Sequence, residues 1–189
     1  MSSVIRPIQE ELVSLSTERA KLAFQKFVPG SQKVYGVKMP DVNALAKKYK
    51  EGGFELATEL WQSGAFEEKV MAAKLLGLIA KKDPARTLKM IEKFSSSISD
   101  WAVCDTLGMQ SPKPLNKKFQ EEIFAISNRL IASKDLWQRR LALVLAEWYT
   151  RDPVVHPKIK TLLKKAENDK EYYVKKAVAW INRNFEKKR

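Results

Sequence analysis

The sequence predicts an all-α protein built as an α-α superhelix (an α-solenoid), and three observations support this prediction. Apolar residues recur at spacings of three and four along nearly the whole chain, which is helical rather than strand periodicity. Only 7 glycines and 8 prolines interrupt the 189 residues. Finally, the small residues Ala73, Gly108, Ala142 and Ala177 follow a period near 35, which is typical of stacked helical pairs that bury their apolar faces against neighbouring pairs.

Turn signals divide the chain into short helices. The early signals, at Val28-Pro29-Gly30, Met39-Pro40-Asp41 and Glu51-Gly52-Gly53, predict an N-terminal helical cap over residues 1–52. The later signals predict about four helical pairs over residues 53–189, within a single domain; they lie at 63–64, 83–84, 95–97, 111–114, 133–135, 152–153 and 168–169. Asp83-Pro84 and Asp152-Pro153 each place a capping carboxylate before a proline at the first helical position.

The composition excludes several classes of protein. The single cysteine, Cys104, cannot close an intrachain disulfide, and with the single histidine, His156, it cannot form a four-ligand zinc site. The composition therefore excludes structural zinc and a disulfide scaffold. The start of the chain lacks the apolar core of a signal peptide, and no later window approaches eighteen consecutive apolar residues. We expect a cytoplasmic protein with no membrane contact, acting as a monomer.

The charge of the chain indicates a polyanionic partner. The 35 basic and 22 acidic residues give a formal net charge of +13. Residues 1–100 contribute +4 and residues 101–189 contribute +9. The C-terminal half is therefore the better candidate for the part that faces an anion.

The period of 35 places charged side chains in one column of the predicted groove. Asp105, Arg140 and Lys175 follow this spacing, and in a solenoid such residues stack along the concave surface. The remaining candidates for phosphate contact lie beside this column: Arg139, Lys176 and Arg183. A concave basic groove of this kind suits a duplex backbone, which binds cations largely by releasing counterions.

Asp105 is the anomaly in this column, and two interpretations of it are open. It forms an ion pair with Arg140, one repeat away, or it is a carboxylate kept among phosphates because a reaction needs it. Trp101 precedes Asp105 by four residues and so shares its helix face. Trp180 follows Lys175 by five residues, and periodicity alone does not place it in the groove.

Four segments resemble one known family, in the correct order and over essentially the whole chain. They are Phe27 to Gly30 with Val34 to Lys48, Asp100 to Asp105, Trp137 to Ala142, and Val178 to Arg183. The family is that of the bacterial DNA alkylation repair proteins, the AlkD-like DNA glycosylases with HEAT-like repeats. The resemblance implies a bacterial, nucleoid-associated protein acting on duplex DNA with alkylated bases.

The resemblance also implies a reaction and its residues. The reaction is hydrolysis of the N-glycosidic bond of cationic N3- or N7-alkylated purines, as in base excision repair, and this reaction implies no metal and no cofactor. Asp105 would be the catalytic carboxylate, Trp101 and Trp180 the aromatic walls around the damaged nucleotide, and Arg140 a backbone-binding residue.

Two other functions compete with this prediction. The first is a non-catalytic helical-repeat protein that binds nucleic acid with steep salt dependence and releases no base. The second is a protein-interaction solenoid whose basic groove accepts an acidic peptide or helix.

Overall fold

The computed structural model describes residues 5–28 and 33–186, and every regular element in these two ranges is helical. Pro29 and Gly30, part of the first predicted turn, lie outside the described residues. The α-helices are α1 (Ile5–Ser14), α2 (Glu18–Phe27), α3 (Met39–Lys48), α4 (Gly53–Ser63), α5 (Phe66–Ile79), α6 (Pro84–Ser95), α7 (Trp101–Gln110), α8 (Gln120–Leu130), α9 (Leu136–Glu147), α10 (His156–Ala166) and α11 (Tyr172–Glu186). Short 3-10 helices cover Lys50–Gly52, Trp148–Arg151 and Pro153–Val155.

The helices from α3 onward form two layers. Helices α3, α5, α7, α9 and α11 pack side by side in that order and form an inner layer. Helices α4, α6, α8 and α10 form an outer layer, each packed against the inner helix that follows it in the chain. This is an α-α superhelical repeat fold, and the predicted all-α fold class is confirmed.

Small residues allow the inner helices to pack closely. Ala73, Gly108, Ala142 and Ala177, which share the period of 35, are all buried. A Cβ atom on Gly108 would lie 2.7 Å from a side-chain carbon of Val144, so a larger residue there would force α7 away from α9. The repeat visible in the sequence is therefore the line along which the inner helices touch.

The two predicted Asp-Pro caps behave differently. Asp83 accepts a hydrogen bond from the backbone N–H of Arg86 at 2.9 Å and caps α6, as its position predicts. Asp152 accepts from the N–H of Val154 at 3.1 Å and caps the short 3-10 helix, so α10 begins only at His156.

The segment before α3 attaches the N-terminal helices to α5. Glu67, fully buried at the start of α5, accepts three backbone N–H bonds, from Tyr35, Gly36 and Val37, at 2.7 to 3.1 Å. Gly36 has φ +89°, and a Cβ atom there would lie 2.7 Å from the carbonyl oxygen of Thr17, which caps α2. A buried carboxylate and a glycine together fix α2 against the inner layer.

Within the described ranges, no helix is both long enough and apolar enough to cross a membrane.

Candidate active site

A cavity of about 550 Å³ separates α2 from the inner helices, and we call it the α2 cavity. Phe24 lines it from α2, and Val70 lines it from α5. The wall formed by α7 includes Trp101, Asp105 and Met109. Most of the lining is apolar, so Asp105 is a carboxylate at the edge of a hydrophobic space.

Asp105 is held by Arg140, the residue one repeat later on α9. The Arg140 guanidinium donates from Nε to Oδ1 at 2.9 Å and from Nη2 to Oδ2 at 2.8 Å. Its third group, Nη1, donates to the backbone carbonyl of Tyr173 at 2.6 Å, at the start of α11. One guanidinium therefore links three successive inner helices, and the ion pair expected from the spacing is present.

The ion pair leaves Asp105 accessible and Arg140 almost buried. The side chain of Asp105 is 19% exposed and that of Arg140 is 7% exposed. Each carboxylate oxygen has two acceptor positions, and the fork of Arg140 uses one on each oxygen. Asp105 thus keeps one unused acceptor position on each oxygen while it lines the cavity.

Burial raises the pKa of the Asp105 carboxyl above its ordinary value of 3.8. Hydrogen bonding to Arg140 and its positive charge act in the opposite direction, and the nearby charge of Asp100 raises the pKa further. A carboxylate with a raised pKa is a better proton acceptor than an ordinary aspartate, provided that it is ionised at the working pH.

The first turn of α7 determines where Trp101 and Asp105 lie. Asp100 is the N-cap of α7, and its side chain accepts the N–H of Val103 at 2.8 Å. Trp101 begins the helix one turn before Asp105, and both side chains line the α2 cavity. Cys104, between them in sequence, points into the core; burial raises the pKa of its thiol, which disfavours a nucleophilic thiolate.

Arg139 lies in a different environment from Arg140. Its Nε donates to Asp169 Oδ2 at 2.6 Å, and its Nη1 donates to the carbonyls of Ser133 and Lys134. The side chain is 17% exposed. Arg139 therefore joins the start of α9 to the segment before α11. While these hydrogen bonds are kept, the Nε and Nη1 groups of Arg139 cannot donate to a phosphate.

The remaining predicted residues lie on α11. Lys175, Lys176 and Arg183 are exposed, and no ion pair involves them among the described residues. Trp180 is half-buried on the same helix. The described residues that line the α2 cavity include Trp101 and do not include Trp180.

Two residues that shape this region were not predicted from the sequence. Glu67 has the appearance of an ordinary acidic residue in the first turn of a helix, yet it fastens the segment before α3. Lys74, on α5, lines the α2 cavity and is half-buried. The hydrogen bonds of Glu67 join residues far apart in sequence, and the burial of Lys74 depends on its neighbours in space. Neither can be read from the spacing of residue types along one sequence.

The described residues contain no group of three or more histidine, cysteine, aspartate or glutamate side chains arranged to hold a metal ion. The groups that line the α2 cavity include the carboxylate of Asp105, the indole of Trp101 and the ammonium groups of Lys38 and Lys74. The guanidinium of Arg140 is not part of the lining and reaches the cavity only through its bonds to Asp105.

Comparison with known proteins identifies the family. A family model described as DNA alkylation repair enzyme matches residues 8–189, which is nearly the whole chain. No curated protein matches the sequence. The matched range contains the α2 cavity and the ion pair at its edge. The chain therefore belongs to the DNA alkylation repair enzyme family, and its role is in the repair of alkylated DNA.

Proposed function

We propose that the protein is a DNA glycosylase that hydrolyses the N-glycosidic bond of cationic N3- and N7-alkylated purines in duplex DNA. The observation that carries this proposal is the position of Asp105. Its carboxylate is partly exposed, Arg140 fixes it, and it lines the same apolar cavity as Trp101.

The chemistry asks little of the protein at the leaving base. An alkylated purine is already cationic, so it takes the electron pair of the C1′–N bond and departs as a neutral base. Positive charge then develops on the deoxyribose, as in other glycoside hydrolyses. The site must stabilise that charge and supply a water to C1′, and neither task requires a metal or an organic cofactor.

Asp105 is suited to both tasks. Its negative charge stabilises the cationic sugar, more strongly beside an apolar cavity than in bulk water. Its remaining acceptor positions can take a proton from the attacking water as the oxygen–C1′ bond forms. Arg140 fixes the carboxylate in one orientation and keeps it ionised, so Arg140 acts as a positioning residue in this scheme.

Trp101 supplies an aromatic face in the same cavity. The electron-rich face of an indole attracts cationic groups, and the cation here is the damaged purine or the sugar that it leaves. We expect Lys175, Lys176 and Arg183 to contact backbone phosphates, since they are exposed cations on the last inner helix.

A second candidate function is DNA binding without catalysis, and one observation favours it. Both oxygens of Asp105 accept hydrogen bonds from Arg140, and such a pair can link α7 to α9 without taking part in a reaction.

Release of the free base separates the two functions. Purified protein incubated with methylated duplex DNA is expected to liberate methylpurine, detected by mass. Asp105→Asn is expected to slow release at least about 100-fold while duplex binding persists, because it removes the charge but keeps the shape.

Glu92→Gln is the matched control. Glu92 forms a similar two-bond pair with Arg129, on the outer layer and away from the cavity, so its loss is expected to leave release unchanged. Equal release by Asp105→Asn and wild type would contradict the catalytic role of Asp105. No release by the wild type, with duplex binding intact, would favour the binding function.

A further inference from the structure

A second cleft, of about 500 Å³, lies beside the α2 cavity and contains only cationic charge. Three lysines line it, from three successive parts of the inner layer: Lys47 on α3, Lys74 on α5, and Lys113 just after α7. The amides of Asn43 and Gln110 line the same space. No carboxylate is among the described residues of its lining, and we call it the lysine cleft.

These three lysines share one space and have no ion pair within the described residues. Ion pairs occupy Lys48, Arg86 and Lys158 on other surfaces. Within the two described ranges, none involves Lys47, Lys74 or Lys113. Three unneutralised charges around one concave space attract an anion, and an anion with several charges most of all.

Lys74 is the strongest candidate of the three to bind an anion, because part of its side chain is buried away from water. Burial lowers the pKa of its ammonium group, and no acidic neighbour offsets that effect. A bound phosphate would offset it, since an opposite charge close to a desolvated cation favours the charged form. The surface amides of Asn43 and Gln110 add neutral hydrogen-bond donors for phosphate oxygens.

The lysine cleft is continuous with the α2 cavity. Lys74 and Gln110 line both spaces. Because the two spaces share this wall, a strand with a nucleotide at Asp105 brings its flanking phosphates towards the lysine cleft.

We infer that Lys47, Lys74 and Lys113 form a binding site for the backbone phosphates that flank the damaged nucleotide. This inference rests on the proposed function for its ligand, since a nucleotide at Asp105 is what brings a strand to the cleft. The three lysines lie on α3, on α5 and in the turn after α7. The column of charged residues predicted from the spacing, Asp105, Arg140 and Lys175, lies instead on α7, α9 and α11.

The test is the salt dependence of binding to undamaged duplex DNA, which does not require base release. A triple variant with Lys47, Lys74 and Lys113 changed to Gln is compared with a control in which Lys89, Lys93 and Lys160 are changed to Gln. The control lysines are exposed on the outer helices α6 and α10, and both variants lose three charges.

The cleft variant is expected to bind at least about tenfold more weakly at low salt, and its slope of log affinity against log salt should fall by about 0.9 for each lysine. The control should retain the wild-type slope, and a variant with the three cleft lysines changed to Arg should regain affinity. If the triple variant does not fold, Lys47→Gln and Lys113→Gln, both at exposed positions, test the same slope singly.

Each result has one meaning. Equal slopes for the cleft and control variants would overturn the inference, even if the wild type releases methylpurine. A loss of slope in the cleft variant but not in the control variant, together with no base release by the wild type, would support the cleft and contradict the glycosylase proposal.

Discussion

Two arginine–carboxylate pairs in this molecule have nearly the same geometry and opposite surroundings. On the outer layer, Arg129 donates two hydrogen bonds to Glu92, at 2.7 and 2.9 Å, between α8 and α6. On the inner layer, Arg140 donates two to Asp105, at 2.9 and 2.8 Å. The outer side chains are 57% and 36% exposed, whereas the inner ones are 7% and 19% exposed.

The different surroundings shift the pKa values of the two acids in opposite directions. The hydrogen bonds from Arg129 lower the pKa of Glu92, whereas burial raises the pKa of Asp105 despite the same kind of partner. The guanidinium alone therefore does not set the proton affinity of a carboxylate. Loss of water beside the α2 cavity outweighs it, and that is what makes the inner acid suited to accept a proton.

The largest expected difference between the pairs is in stability. Arg140→Gln leaves Asp105 as a mostly buried charge without a partner, and we expect it to cost about 3 kcal/mol of unfolding free energy. Arg129→Gln should cost less than about 1 kcal/mol, because water already solvates the exposed pair. Denaturant unfolding of both variants measures this, and Arg140→Gln with Asp105→Asn should recover part of the loss. Equal losses in the two single variants would contradict the comparison.

A smaller effect is expected on base release. Without the charge of Arg140, the pKa of Asp105 rises further, so less of it is ionised at a given pH. At acidic pH, base release by Arg140→Gln should be about tenfold slower than in the wild type if the pKa of Asp105 is one pH unit higher. The difference should disappear as the pH rises. Single-turnover rates between pH 5 and 8 measure this, with Arg129→Gln as the control. A loss that stays constant across this range would indicate a role for Arg140 other than holding the carboxylate in its charged form.

The smallest effect is the titration of the two acids themselves. Carboxyl NMR signals should show Asp105 titrating above its ordinary value of 3.8 and Glu92 below its ordinary value of 4.5. As the pH falls, Asp105 therefore takes up its proton earlier than an unperturbed aspartate, and Glu92 later than an unperturbed glutamate. Shifts of the same sign would show that burial does not separate the pairs.

The spacing of the sequence predicted the contacts between repeats. The period of 35 placed Asp105 opposite Arg140, and the structure joins them directly. The same period marked Gly108 and Ala142, which are buried between inner helices. Periodicity succeeds here because each repeat contacts the next in the same register.

Spacing could not predict contacts that depend on a turn. Arg139 is adjacent to Arg140, but one residue is about 100° around a helix, and Asp169 in the turn before α11 binds its guanidinium. Glu67 is buried only because the segment from Tyr35 to Val37 folds over it. The path of a turn decides both cases, and periodicity carries no information on that path.

The attachment of α2 through Glu67 has a consequence for how this family can vary. Asp105, Arg140 and Trp101 all lie on helices after α3, whereas one wall of the α2 cavity is formed by α2, which the segment bound to Glu67 and the ring contact between Phe24 and Phe66 hold in place. A chain shortened to begin at α3 would retain these three residues and lose the wall of the cavity that α2 forms. The N-terminal helices are thus an enclosure whose size can change without altering Asp105, Trp101 or Arg140.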